Sequence, residues 1–360
     1  MSLQTLKSWL ARNEKYVSLG ALVVGSLTDS LTLRRSDLLA ENVVLVTYIA
    51  IVMSGIAFLH QRTARAGGEQ VQSIFARVVP FIMQFAFGGL FSAYAIFYTR
   101  AASLSASWLF LAILFALLAG TEFFKEQYLR RGSQIVILFV ALFSFMIFFV
   151  PTVIKEIGTG VFLISGAVSI AILMLFVAML LRLDVVQVRR EQRTIFSGVA
   201  GVYFVINGMY FLHIIPPLPL ALKDAGAYQQ VVRTSGGYEV LSEARTWRDT
   251  VGLERTMHIL PGSTVYFYSS VFAPTQFATT IQHRWEYYDE TKRGWVVATE
   301  IAFPVAGGRD GGYRGYSFKT GVFPGKWRVD VLTPSGQVVG RTQFKVSYVD
   351  VAPALHAEVR

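Results

Sequence analysis

The sequence predicts two parts in series: an α-helical membrane bundle of about seven transmembrane helices, then an all-β, immunoglobulin-like sandwich domain. Three observations predict this. Up to about residue 221, apolar runs near the ~20 residues that span a bilayer recur with short polar gaps. Beyond Leu222 the pattern alternates apolar and polar residues between Gly, Pro and Ser turns, the period of a half-buried strand. Of the 360 residues, 53% are hydrophobic and only 16% charged, and just over half of those charges fall in the last 139 residues. The expected domains are residues 1–215 (polytopic, N-terminus cytoplasmic), 216–222 (proline-rich junction) and 223–360 (extracytoplasmic sandwich).

The predicted spans are Val17–Leu33, Asn42–Leu59, Val78–Tyr98, Ser107–Thr121, Gln134–Ile154, Gly158–Leu181 and Ile195–Ile214. Their short connections leave little choice but up-and-down hairpins. Val17–Leu33 shows no small-residue cleavage site, so it reads as a retained helix. With the N-terminus inside, thirteen Lys/Arg flank the spans on the cytoplasmic side and five on the other, which obeys the positive-inside rule. Seven spans then put the C-terminal domain outside, in the periplasm of a bacterium with two membranes. Residues 1–221 carry 17 Lys/Arg against 10 Asp/Glu, and residues 222–360 carry 16 against 13. The excess lies beside apolar segments rather than on one soluble face, which argues against a nucleic-acid partner. With no cysteine, disulfides, thiolate metal sites and cysteine nucleophiles are excluded.

Ionisable groups within spans are functional suspects. Asp29 and Glu122 are the two, with Gln84 and Asn207 as neutral polar companions. The plainer reading puts Asp29 at one interface beside Arg34 and Arg35, and Glu122 at the other beside Lys125. Ala21 and Gly25, Ser165 and Ser169, and Ser197 and Gly201 stand four apart, as in close helix contacts. Phe139, Phe143, Phe145, Phe148 and Phe149 form a stripe that could hold a pigment, quinone or lipid tail, although such a stripe is more often a lipid-facing or packing surface. His60 and His213 fall at opposite ends of the bundle, so no bis-His haem pair is expected. No cofactor or metal is predicted.

Pro216, Pro217 and Pro219 predict an extended, fairly stiff junction. Beyond it, expected strands are 228–233, 238–242, 256–260, 263–272, 281–289, 294–303, 313–319, 326–332 and 338–346, with turns at Thr-Ser-Gly-Gly, Pro261-Gly262, Glu-Thr-Lys-Arg and Pro324-Gly325. The densest motif runs from Gly307 to Lys319. Its glycines permit close backbone approach. Arg309, Arg314 and Lys319 could meet a phosphate or carboxylate, and Trp285, Tyr313 and Tyr316 could stack on a sugar. Alternatively the aromatics fill the core and the arginines pair locally. The motif lacks the Gly-Lys-Ser/Thr and the strand–loop–helix context of a phosphate loop. His283 is the best general-base candidate, but it sits in a strand pattern without a nucleophile elbow or zinc motif.

His283-Arg-Trp285, the Gly307–Lys319 run and Pro324-Gly-Lys-Trp-Arg-Val329 resemble the bacterial domain-of-unknown-function family numbered 2914. Pro217-Leu-Pro-Leu220, Phe272-Ala-Pro274 and the stretch from Gly25 to Arg35 are similar to its multi-span members. The resemblance implies a multi-span anchor with a C-terminal domain and transfers no catalytic residue. The function expected from all this is a non-catalytic accessory or structural subunit of a larger inner-membrane assembly. It would dock through its helices and its sandwich, with membrane lipids and a membrane protein as partners. One alternative is a module binding envelope glycan or anionic lipid. Another is a small-molecule transporter using Asp29 and Glu122.

Overall fold

The structure, a computed structural model, describes residues 38–65, 74–101, 108–116, 131–244, 255–275, 277–309 and 311–360. The described residues form two compact units, a helical one ending at Ile214 and a sheet-rich one from Ile215 to Arg360.

Among the described residues, five helices are long and apolar enough to cross a membrane: α1 (Leu39–Arg65), α2 (Ile74–Ala101), α3 (Arg131–Ile154), α4 (Thr159–Leu183) and α5 (Val185–Phe211). Residues 108–116, part of the expected fourth span, are also helical. The expected first span lies outside the described residues, as do Asp29 and Glu122. Helix α5 begins ten residues before the apolar run that predicted it. Asp184 explains the early start: its carboxylate accepts the Gln187 N–H at 3.1 Å, an N-cap, and the charged turn that follows continues the helix. Only this one residue separates α4 from α5.

Helix α3 is the centre of the unit, with 72% of its apolar stretch buried against 22% for α5. Phe139, Phe143, Phe145 and Phe148 are fully buried on it, so the stripe packs rather than facing lipid. Tyr94 and Tyr98 of α2 donate their hydroxyls to the Ala141 and Ser144 carbonyls of α3, at 3.0 and 3.2 Å. Those bonds satisfy two phenols that no water reaches. Close glycine contacts include Gly166, whose added Cβ would meet Phe143 and Tyr203, and Gly198, whose Cβ would lie 2.5 Å from Val136. Ser165 and Ser169 are buried and bond back to Val161 and Ser165 carbonyls. Ser197 and Gly201 are exposed. His60 ends α1 beside the start of α5, while His213 follows the end of α5, about 40 Å away at 1.5 Å per residue.

The junction departs from expectation. Instead of extending, it folds on itself: Leu218 N–H donates to the Pro216 carbonyl at 2.9 Å and Leu220 N–H to Pro217 at 3.0 Å. Residues 215–220 are buried, which favours a turn that pairs its own amides over an open strand that could not.

The second unit holds eleven strands among the described residues: β1 (Ala221–Tyr228), β2 (Gln230–Thr234), β3 (Gly237–Ser242), β4 (Arg255–Ile259), β5 (Val265–Phe272), β6 (Ala278–Asp289), β7 (Gly294–Ala306), β8 (Tyr313–Lys319), β9 (Gly325–Leu332), β10 (Val338–Tyr348) and β11 (His356–Val359). They make three sheets, β1-β5-β8, β4-β10-β9-β6-β7 and β11-β3-β2. All pairings are antiparallel except β4 on β10. The first two sheets share one core, which includes Val265, Phe267 and Val271 of β5 with Trp285 of β6 and Trp327 and Val329 of β9. The third sheet covers the reverse of the first, where Val231 and Val240 pack on Tyr228 and Tyr268.

On α5, Gly198 and Gly201 should answer alanine in opposite ways. Gly201→Ala, with open space around it, gains helix propensity of up to about 1 kcal/mol. Gly198→Ala overpacks against Val136 and costs about 1–3 kcal/mol. Thermal unfolding in detergent should show the first variant at or above the native Tm and the second below it.

Candidate functional site

Strand β5 places alternate residues on two faces. Val265, Phe267, Ser269 and Val271 turn toward the main core, while Tyr266 and Tyr268 turn the other way. Ser269 is the polar exception in the apolar row, and a histidine from the opposing sheet meets it. Ser269 Oγ lies 2.8 Å from His283 Nε2, and Ser317 Oγ of β8 lies 2.9 Å from His283 Nδ1. Trp285 donates its indole N–H to Ser317 Oγ at 3.0 Å. Phe267 and Phe303 set their rings edge-on to the imidazole, each 4.8 Å from its centroid.

A serine hydroxyl on a histidine nitrogen is the geometry of an activated nucleophile. Here Ser269 and His283 are both at 0% exposure and Ser317 at 3%, so substrate has no approach. Burial pushes the imidazole down from 6.5 to about 3. A neutral ring, donating from one nitrogen and accepting at the other, suits a serine on each side. The network ties β5, β6 and β8 together across the core.

The Gly307–Lys319 candidates do not converge. Tyr313 and Lys319 lie on one face of β8, and Arg314 and Tyr316 on the other, as a period of two requires. Tyr313 packs on the core, and Lys319 donates to Thr299 of β7 at 2.8 Å. Across the strand, Tyr316 meets Tyr238 and Tyr266, and the Tyr238 hydroxyl donates to the Arg314 carbonyl at 3.3 Å. Arg309 sits 5.8 Å from the Tyr313 ring. Trp285 is fully buried and offers no stacking face. The glycine loop is likewise occupied with its own fold: Gly307 N–H donates to Phe277, Gly308 to Ala273 and Gly312 to Arg309. A Cβ on Gly307 would fall 1.8 Å from the Pro274 oxygen, so glycine is there to let two backbones touch.

Charges on the outward face of the five-stranded sheet pair across strands. Arg341 makes two bonds to Asp330, at 2.7 and 2.5 Å, and Arg284 meets Glu300 at 2.5 Å. Those hydrogen bonds push the Arg341 guanidinium further up. Arg328 pairs with Glu286 and lies 4.4 Å over the Trp295 ring. Asp330 and Glu286 can be nearly buried because each has its arginine. Among the described residues no three His, Cys, Asp or Glu side chains converge to hold a metal. Of the membrane candidates, Asn207 bonds its own helix at Tyr203, 2.8 Å, and Gln84 is half-buried on α2. Ser269 and Ser317 escaped the sequence reading because only strand pairing brings them to His283.

The folded state binds the His283 proton less tightly than the unfolded chain. Its contribution is therefore intact above about pH 6.5 and is lost toward pH 3, at up to ~1.4 kcal/mol per pH unit. Hydrogen exchange of β5 and β6 amides against pH should show this acid slope in the native chain. His283→Gln, which cannot charge, should show a shallower one.

Residues 278–346, from β6 into β10, match the family model described as Protein of unknown function (DUF2914). No curated protein matches the chain. One similar solved structure is Pseudomonas fluorescens alkylpurine DNA glycosylase AlkC bound to DNA containing an abasic site analog. It is 10% identical over 87% of this chain and 99% of that one, with a TM-score of 0.22, a likeness that carries no argument. His283-Arg-Trp285, the glycine motif and Pro324–Val329 all fall inside the matched segment, so the sheet-rich C-terminal part carries the DUF2914 match and follows a helical N-terminal part.

Proposed function

We propose that this chain is a non-catalytic, membrane-anchored accessory or structural subunit that docks in a larger inner-membrane assembly of a bacterium. The observation that carries the reading is the exposed face of α5. Only 22% of its apolar stretch is buried among the described residues. Ser197 and Gly201 are exposed on it, and Gly201 and Gly208 have open space where a Cβ would stand. In hydrocarbon such a face lets a second helix approach closely. The burial of the Ser269–His283 pair supports a non-catalytic role.

Sidedness follows from arginine. The end of the helical unit that holds His60 also carries Arg62, Arg65, Arg131, Arg182, Arg189, Arg190 and Arg193, while Arg100 and Lys155 mark the opposite end. That bias supports a cytoplasmic first end and a periplasmic sheet-rich domain. The pairing of a β1-β5-β8 sheet on a five-stranded one, around buried Trp285 and Trp327, supports an immunoglobulin-like core enlarged by a third sheet.

Purification from native membranes in mild detergent should yield a complex well above the 40.1 kDa of one chain, with a defined membrane-protein partner. Gly201→Leu should shift most of the protein to monomer size without lowering its Tm. A native chain that runs alone as a monomer would overturn the proposal.

A further inference from the structure

A second polar cluster lies in the helical unit, where α1 ends, α3 begins and α4 hands over to α5. Asp184 occupies the joint. Its Oδ1 is committed to the Gln187 N–H. Its Oδ2 faces one cation and one group that can become one: Arg131 Nη1 of α3 at 3.3 Å and His60 Nδ1 of α1 at 3.5 Å. His60 is 1% exposed, and neither ring nitrogen has a hydrogen bond. Gln134, one turn beyond Arg131, is also buried with its Oε1 unbonded.

We propose that His60, Asp184 and Arg131 form a proton-binding site at this end of the helical unit. With His60 neutral, Asp184 Oδ2 is left to Arg131, the nearer of the two. A proton taken up at His60 turns Nδ1 into a charged donor aimed at the same oxygen. Two cations then compete for one carboxylate oxygen, and α1 gains a hold on the α4–α5 joint. The bound species is a proton rather than a metal ion, because the Arg131 charge opposes a cation and no third His, Cys, Asp or Glu converges among the described residues. An anion is disfavoured because the Asp184 carboxylate already stands at the centre. Burial weighs most against a charge on His60, Arg131 adds to that, and Asp184 is the group among the described residues that favours it. Glu191 of α5 acts in turn on Arg131, and Arg62, on the helix of His60 itself, lies 5.2 Å over the Phe58 ring. The site stands independently of the docking role.

The test is an NMR titration of ring-labelled histidine in the full chain in lipid nanodiscs, with the His60 signal assigned by its loss in His60→Gln. The native ring should pass from neutral to charged somewhere within about pH 4 to 9. Arg131→Gln, which frees the carboxylate, should raise the midpoint by about one unit. Asp184→Asn should lower it by about as much, and Asp184→Ser, which keeps an N-cap oxygen, should do the same if asparagine disturbs α5. A ring that holds one protonation state from about pH 4 to 9, or a midpoint that ignores both partners, would overturn the proposal.

Discussion

Strand β5 is covered on both faces, and the sheet-rich domain is arranged around that constraint. A strand with water on one side can put its polar residues there. Ser269 and Ser270 have no such outlet, at 0% and 2% exposure. Each must find a partner inside. Ser269 takes His283 from the opposing sheet, and Ser270 donates to the Gly311 carbonyl at 2.5 Å. The second bond draws the glycine motif against the strand, and Gly312 can follow only because it lacks a Cβ, which would lie 2.6 Å from Ser270 Oγ. The loop that looked most like a ligand cradle is thus shaped by the strand beneath it.

Helix α3 repeats the logic in the other unit. It is surrounded, and its own carbonyls are already committed to the helix. Tyr94 and Tyr98 use the second lone pair of the Ala141 and Ser144 carbonyls, so two phenols are buried without leaving an unpaired group. Their spacing of four on α2 matches carbonyls three apart on α3, as expected for helices running side by side. The phenylalanines fill what remains, with Phe145 and Phe148 in edge-to-face contact at 5.3 Å.

Periodicity made much of this readable in sequence. The strand at Tyr313–Lys319 has the bounds that alternation predicted, and its parity alone separates Tyr313 from Tyr316. Strand β1 was missed because Lys223, Asp224 and Gly226 blur its pattern, although Ala227 and Tyr228 face opposite cores. Edge strand β7 runs past Pro304, beyond the expected end at residue 303, because a strand paired on one side can spare that amide. The start of α5 was hidden because its first turns are polar, and a cap rather than an apolar run fixes them. What sequence withholds is the partner across space. Ser317 stands 34 residues from His283, and only the pairing of β5 with β8 sets it there.

The two buried histidines show why burial alone does not define a site. His283 meets neutral groups on every side, two hydroxyls and two aromatic edges, and each nitrogen is bonded. Nothing nearby would stabilise a charge, so its surroundings fix one state. His60 is as deeply placed, yet it lies beside a carboxylate whose nearer partner is an arginine, and its nitrogens are unbonded. Its surroundings supply both a reason to charge and a competitor against doing so. Fully satisfied polar groups hold a fold in one arrangement, whereas a group left between two claims has two arrangements available. In this chain the first kind sits between sheets, and the second sits at a helix joint, where a shift of one side chain is felt by three helices.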